Sequence, residues 1–284
     1  MEHRITIEIA KVLCSVAFEG RSLSPLFEAV ISDYTRWGFC VEGTPQIYLT
    51  IRDSIPQVRM EPRANRFVQE LEYDSIRVCH VLDVETFTGH MGYSILQADE
   101  MTPVRVIEMA ENLIFEAFLL YFLTKRLGTF IHSSGISDGR RGYIFAGQRG
   151  AGKSTVAKLA APRKILCDEL VLLRKTENGR MQVFGTPFIG ESEAVNEGIE
   201  CRGIFFLNQG STNELLALKR VEGAAELLKE GIIGAFIYLD AFQHLCPRAG
   251  FFDLLLDLLE SVPCFRMKFK KDESFWEMID GRSV

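Results

Sequence analysis

The chain has 284 residues, a formal charge of −6, and 47% hydrophobic against 25% charged residues, which is enough apolar material for one large domain or two modest ones. That composition excludes a disordered or collagen-like chain. The acidic balance gives no reason to expect a duplex-DNA or anionic-membrane surface, so neither nucleic acid nor membrane is expected among the partners.

The seven cysteines, at 14, 40, 79, 167, 201, 246 and 264, form no CxxC pair, and the five histidines show no metal-ligand spacing. Scattered thiols of this kind fit a reduced, cytoplasmic protein. The opening run MEHRITIEIAKVLC mixes charges of both signs and does not read as a signal peptide. The most apolar stretch, 113–127, is interrupted by Glu116, Lys125 and Arg126 and is too short to span a bilayer.

In chain order, residues 1–102 read as a β-rich region. Runs rich in Ile, Val, Tyr and Phe at 7–18, 44–51, 75–84 and 92–96 are separated by turn-formers such as Gly20, Gly43 and Gly89. From Pro103 the apolar period becomes helical, and Val104, Ile107, Ile114, Phe118, Tyr121 and Leu127 predict a helix over 104–127 with Gly128 as its C-cap. That change of period sets a second domain at 103–284.

Next come strands at 129–135 and 142–147, a helix at 153–161 and one strand at 164–175. A hairpin turn at Glu177-Asn178-Gly179 leads into 181–187. A strand at 203–208, a helix at 222–230, an apolar segment at 232–240 and a helix at 251–262 follow. The last strand, 264–270, alternates Phe265, Met267 and Phe269 with Arg266, Lys268 and Lys270. It reads as an edge strand guarded by its basic residues, or as an edge that receives an extended acidic peptide.

The strongest chemical signal is Gly147-Gln148-Arg149-Gly150-Ala151-Gly152-Lys153-Ser154, which fits GxxxxGK[ST] between an apolar strand and a helix. Phosphate binding needs this spacing because a tight turn must aim successive backbone N–H groups at phosphate oxygens, and the glycines permit it. Lys153 is expected to reach the β- and γ-phosphates and Ser154 to ligate Mg²⁺, while Thr155 completes the nucleotide-binding set. ATP and Mg²⁺ are therefore the expected cofactors.

Fifteen residues beyond Lys153 stands the acidic pair Asp168-Glu169, one helix and one strand away, and so able to return to the loop's mouth. One carboxylate is expected to ligate Mg²⁺ and the other to take a proton from an attacking hydroxyl. His132, on the strand before the loop's own strand, is placed to hydrogen-bond a carboxylate and tune it.

The run from His132 through the loop to Asp168-Glu169 resembles the C-terminal catalytic core of the HPr kinase/phosphorylase family, which is related to phosphoenolpyruvate carboxykinase. The resemblance implies an α/β fold, a P-loop kinase core of the HPr kinase/PEP carboxykinase type, preceded here by the β-rich region. It also implies transfer of the γ-phosphoryl of ATP to a serine on a protein or peptide. By the same resemblance Asp168 is the base with His132 as partner, Glu169 lies nearer the metal, Glu200 is a metal ligand and Arg202 neutralises charge on the moving phosphoryl group. The segments 184–191 and 268–276 are similar to divergent HPr-kinase-like proteins encoded with peptide-modification clusters. Two positions depart from the family pattern: the acidic pair is Asp-Glu instead of Asp-Asp, and Thr155 replaces glutamate. Both weigh against HPr itself as the acceptor.

Two other readings stay open at this level. One is a small-molecule kinase acting, for example, on free serine. The other is a nucleotide-gated regulator in which Glu169 orients water. The partner expected from the first reading is a peptide or protein carrying an acceptor serine, and a homo-oligomer is compatible with all three.

Overall fold

The computed structural model describes residues 2–20, 24–55, 65–73, 75–188, 194–231 and 248–281. The apolar segment expected at 232–240 lies outside the described residues. Contacts divide the chain into two units, Met1–Lys125 and Arg126–Val284.

In the first unit, the run 7–18 divides into strands β1 (Glu2–Ile9) and β2 (Val12–Glu19). Ala10 and Lys11 turn between them with φ of 49° and 67°. Two consecutive residues at positive φ match the right-handed twist of a tight hairpin. Strands β3 (Ile47–Arg52), β4 (Arg66–Glu72), β5 (Ile76–Asp83) and β6 (Thr88–Ile95) complete a six-stranded sheet in the order β1-β2-β3-β6-β5-β4. Helices α1 (Ser24–Arg36) and α2 (Thr102–Thr124) pack on this unit, α2 against β3, β5 and β6. The helix expected at 104–127 is therefore displaced toward its N-terminus. Gly128 is the first residue of the next strand instead of a cap, and glycine is needed there because a Cβ would strike the Leu173 carbonyl of the paired strand.

The second unit is built on strands β7 (Gly128–Ser137), β8 (Gly142–Ala146), β9 (Lys164–Cys167), β10 (Leu170–Lys175), β11 (Met181–Phe184) and β12 (Gly198–Gln209). The order β11-β10-β7-β8-β12 closes because β11 also pairs with β12, giving a five-stranded barrel. β12 then continues the sheet to β14 (Cys264–Phe269) and β13 (Glu214–Leu218). The expected α/β kinase core is thus overturned: the protein is mostly β, at 41% strand and 26% helix, with two sheets and this barrel. An α/β core would alternate helices with parallel strands. Here the phosphate loop is followed by a helix of only six residues, α3 (Lys153–Lys158), and among the described residues of this unit only β12 pairs in parallel, with β8 and β14.

β14 also corrects the edge-strand reading. It lies between β12 and β13, so it has no free edge. Its cations answer acids on neighbouring elements: Arg266 bonds Glu226 of helix α4 (Arg220–Glu226), and Lys268 bonds Glu214 of β13 at 3.1 Å. A π-helical turn (Leu227–Gly231) continues α4, and helices α5 (Arg248–Leu258) and α6 (Phe275–Asp280) complete the unit.

The alternating apolar residues of β8, β12 and β14 all meet on one face. Phe145, Phe205 and Phe265 stack across the three strands with ring centroids 5.2 and 5.3 Å apart. Val156 of α3 and Phe275, Trp276 and Ile279 of α6 cover that face. The Trp276 indole N–H donates to the Leu159 carbonyl at 2.9 Å, so the last helix fixes the direction in which α3 leaves the phosphate loop.

Candidate functional site

The loop 147–154 springs from the end of β8, a strand buried along its whole length. Gly150 and Gly152 adopt φ of 84° and 112°, left-handed angles that a side chain resists. At Gly152 a Cβ would also lie 2.6 Å from the Phe269 ring, so two independent constraints require glycine there. The Gln209 amide donates to the Gly150 carbonyl at 2.8 Å and anchors the loop to the end of β12. Lys153 is buried, and its ammonium donates to the Gly147 carbonyl at 2.8 Å, which places the charge inside the curve of the loop.

Beside the loop, β7 is buried at every position except His132, which is partly exposed. Its neighbour Ser133 pairs with Ala146, the residue before Gly147. The single strand expected at 164–175 is broken at Asp168-Glu169 into β9 and β10, and both pieces pair with the same edge of β7. The Ser133 N–H donates to the Glu169 carbonyl at 3.0 Å, and the Ser134 hydroxyl donates to the Asp168 carbonyl at 3.4 Å. The break therefore has a fixed geometry, and it stands level with the start of the phosphate loop.

Within this break the two acids differ. His132 Nδ1 lies 3.1 Å from Glu169 Oε1. That hydrogen bond, aided by the charges of His132 and Lys153, holds the Glu169 carboxyl below the ordinary glutamate range against the opposing effects of burial and Asp168. Asp168 is 6% exposed. The expected pairing of His132 with Asp168 is thus corrected: the partner is Glu169.

Glu200 and Arg202 are not brought to the loop. Cys201, between them, pairs with Gly142, at the opposite end of β8 from Gly147. At 3.3 Å per residue the two ends of that strand stand roughly 15 Å apart. Arg202 sits in a β-bulge of β12, and its guanidinium lies 3.4 Å from Glu200, which also meets Arg180 at 3.6 Å. The metal role expected of Glu200 and the phosphoryl-contact role expected of Arg202 have no support in this placement.

Oxygen donors at the loop's mouth suit a hard cation: Ser154 follows Lys153, and Asp168 and Glu169 stand opposite. Among the described residues no group of three or more His, Cys, Asp or Glu side chains forms a metal cage. Mg²⁺ does not need one, because it binds through one or two carboxylates together with phosphate oxygens and water. Gln209 and the Ser133-Ser134 pair escaped the sequence reading. Gln209 belongs to no contiguous motif, Ser133 and Ser134 lie without an assigned role inside the run that carries the resemblance, and strand pairing is what brings all three to the loop.

A family model described as SynChlorMet cassette protein ScmC matches residues 95–283, more than half of the chain. No curated protein matches the sequence. No helix of the described residues is long and apolar enough to cross a membrane.

Proposed function

The chain belongs to the SynChlorMet cassette protein ScmC family, and from the geometry of its phosphate loop we propose that it is an ATP-dependent kinase transferring the γ-phosphoryl group to a serine hydroxyl of a peptide or protein. One observation carries the reading: the phosphate loop with its buried Lys153 and the His132–Glu169 pair lie side by side where Ser133 of β7 pairs with Ala146 at the loop end of β8. The resemblance of these motifs to those of HPr kinases supports the choice of a serine acceptor.

Backbone N–H groups of the loop and the Lys153 ammonium bind the polyphosphate and compensate its charge. Ser154 and Asp168 would hold Mg²⁺. When bound, the Mg²⁺·ATP complex supplies an electrophilic γ-phosphorus and a stabilised diphosphate leaving group. Glu169, kept ionised by His132, accepts the proton of the serine hydroxyl as its oxygen bonds to the γ-phosphorus and the bond to the β-phosphate oxygen breaks. The proton passes from Glu169 to solvent, to which the side chain is 46% exposed. This arrangement exchanges the roles that the family resemblance implied for the two acids.

Incubation with γ-labelled ATP and three acceptors tests the proposal: a serine-containing peptide, free serine and water. Label on the peptide serine is the expected result. Label on free serine alone makes the chain a small-molecule kinase, and release to water alone makes it a nucleotide-gated hydrolase. Failure to bind ATP overturns the reading altogether.

A further inference from the structure

The phosphate loop has two flanks. On the β7 side stand His132, Asp168 and Glu169. On the β12 side opens a cleft of about 610 Å³, whose wall includes Gln148, Arg149, Asn208, Gln209, Lys229 and Arg266. We infer that this cleft takes the nucleoside half of a nucleoside triphosphate whose phosphates lie in the loop, an inference that rests on the kinase reading above.

Three observations lead there. The strand order β7-β8-β12 sets the loop between the Glu169 side and the β12 side, so a triphosphate whose terminal phosphoryl group faces Glu169 has a path across the loop toward β12. The volume is that of an ordinary small-molecule site, about 300–1,000 Å³. Its chemistry also fits. Side-chain amides of Gln148, Asn208 and Gln209 offer both donors and acceptors for ribose and base. Arg149, Lys229 and Arg266 outnumber the single acid, Glu226, which is already engaged with Arg266. Phe206 and Leu207 close the floor between the polar residues. The Gln209 amide joins the two regions, because its bond to the Gly150 carbonyl ties the cleft wall to the loop.

The test is calorimetric titration of the whole chain with ATP and, separately, with inorganic triphosphate, in the wild type and in Asn208→Trp, which fills the cleft. The expected result is a loss of ATP affinity of about tenfold or more, with triphosphate affinity unchanged within about twofold. Equal losses for both ligands, or ATP affinity unchanged while the peptide KM rises, would overturn the inference and leave the kinase reading standing. If the wild type binds neither ligand, the phosphate-loop reading itself fails. As a check independent of folding in the variant, photolabelling of the wild type with 8-azido-ATP should mark the segments 206–209 or 226–229. Labelling confined to other segments would also overturn the inference.

Discussion

Among the described residues, a histidine–carboxylate pair stands in each unit of the molecule, and the two are built alike. His80 Nδ1 lies 3.1 Å from Glu116 Oε2 in the first unit, and His132 Nδ1 lies 3.1 Å from Glu169 Oε1 in the second. The surroundings separate them. His80 and Glu116 are 0% and 1% exposed, with β5 and α2 packed around them, whereas His132 and Glu169 are 25% and 46% exposed. A sealed pair cannot meet a substrate, and its weight lies in the fold, where losing one partner strands the other without water. An open pair at a break in a β-ladder contributes little to stability and stays available for proton transfer. Contact chemistry alone does not tell a structural pair from a functional one; access does.

The sharpest way to break this comparison is to neutralise each acid. Glu169→Gln should lower kcat by about 10²–10⁴-fold, the usual worth of a general base, with ATP affinity and the unfolding midpoint close to wild type. Asp168→Asn should instead weaken Mg²⁺·ATP binding. If Asp168→Asn removes turnover and spares ATP affinity while Glu169→Gln does the reverse, the two roles are exchanged and the His132 pairing is not the functional one.

Glu116→Ala should act on stability. Removing one partner of a sealed pair typically costs about 3–5 kcal/mol, read from denaturant unfolding followed in the full chain. His80 Nε2 already lacks a hydrogen-bond partner among the described residues, so the lone imidazole left behind would be poorly satisfied. The double change His80→Leu with Glu116→Met should recover most of that loss, because replacing both partners of a buried polar pair by well-packed apolar groups is often close to neutral. A loss below about 1 kcal/mol for Glu116→Ala would mean that the first pair is open to water after all.

Gly152→Ala should cost about 1–3 kcal/mol, because it imposes a side chain at φ 112° and drives a methyl group into the Phe269 ring. ATP affinity should fall with it. Gly150→Ala meets no neighbour, so it should show the conformational cost alone and a smaller loss of stability.

These sites were unequally legible in the sequence. The phosphate loop and the acidic pair were readable because their chemistry requires contiguous residues. Which acid faces His132 was not readable: the break between β9 and β10 interrupts the alternation of side chains, and a shift of one residue exchanges the partner. Barrel closure depends on β11 pairing with both β10 and β12, a long-range event that no local pattern encodes. The alternation of β14 looked like a protected edge because the acids that answer Arg266 and Lys268 come from α4 and β13, far away in sequence. Helix α1 and strand β4 were missed altogether. Glu116 had looked like a mere interruption of an apolar run, yet it is the buried half of the first pair.

The smallest expected effect concerns pH. The folded-state pKa of Glu169 lies below its ordinary value of 4.5, chiefly through the hydrogen bond from His132. A group with a depressed folded pKa contributes stability that is present above the unfolded pKa and is lost as pH falls through the folded value. Because the side chain is nearly half exposed, that contribution is small, and the clearer readout is kinetic. In the wild type the acidic limb of the kcat–pH profile should lie below pH 4.5, since Glu169 must be ionised to take the serine proton. His132→Ala removes both the hydrogen bond and the imidazole charge, so the limb should move up toward 4.5. His132→Gln, able to keep a neutral donor at the same place, should move it only part of the way. Identical limbs in all three proteins would show that His132 does not tune Glu169 in the working enzyme.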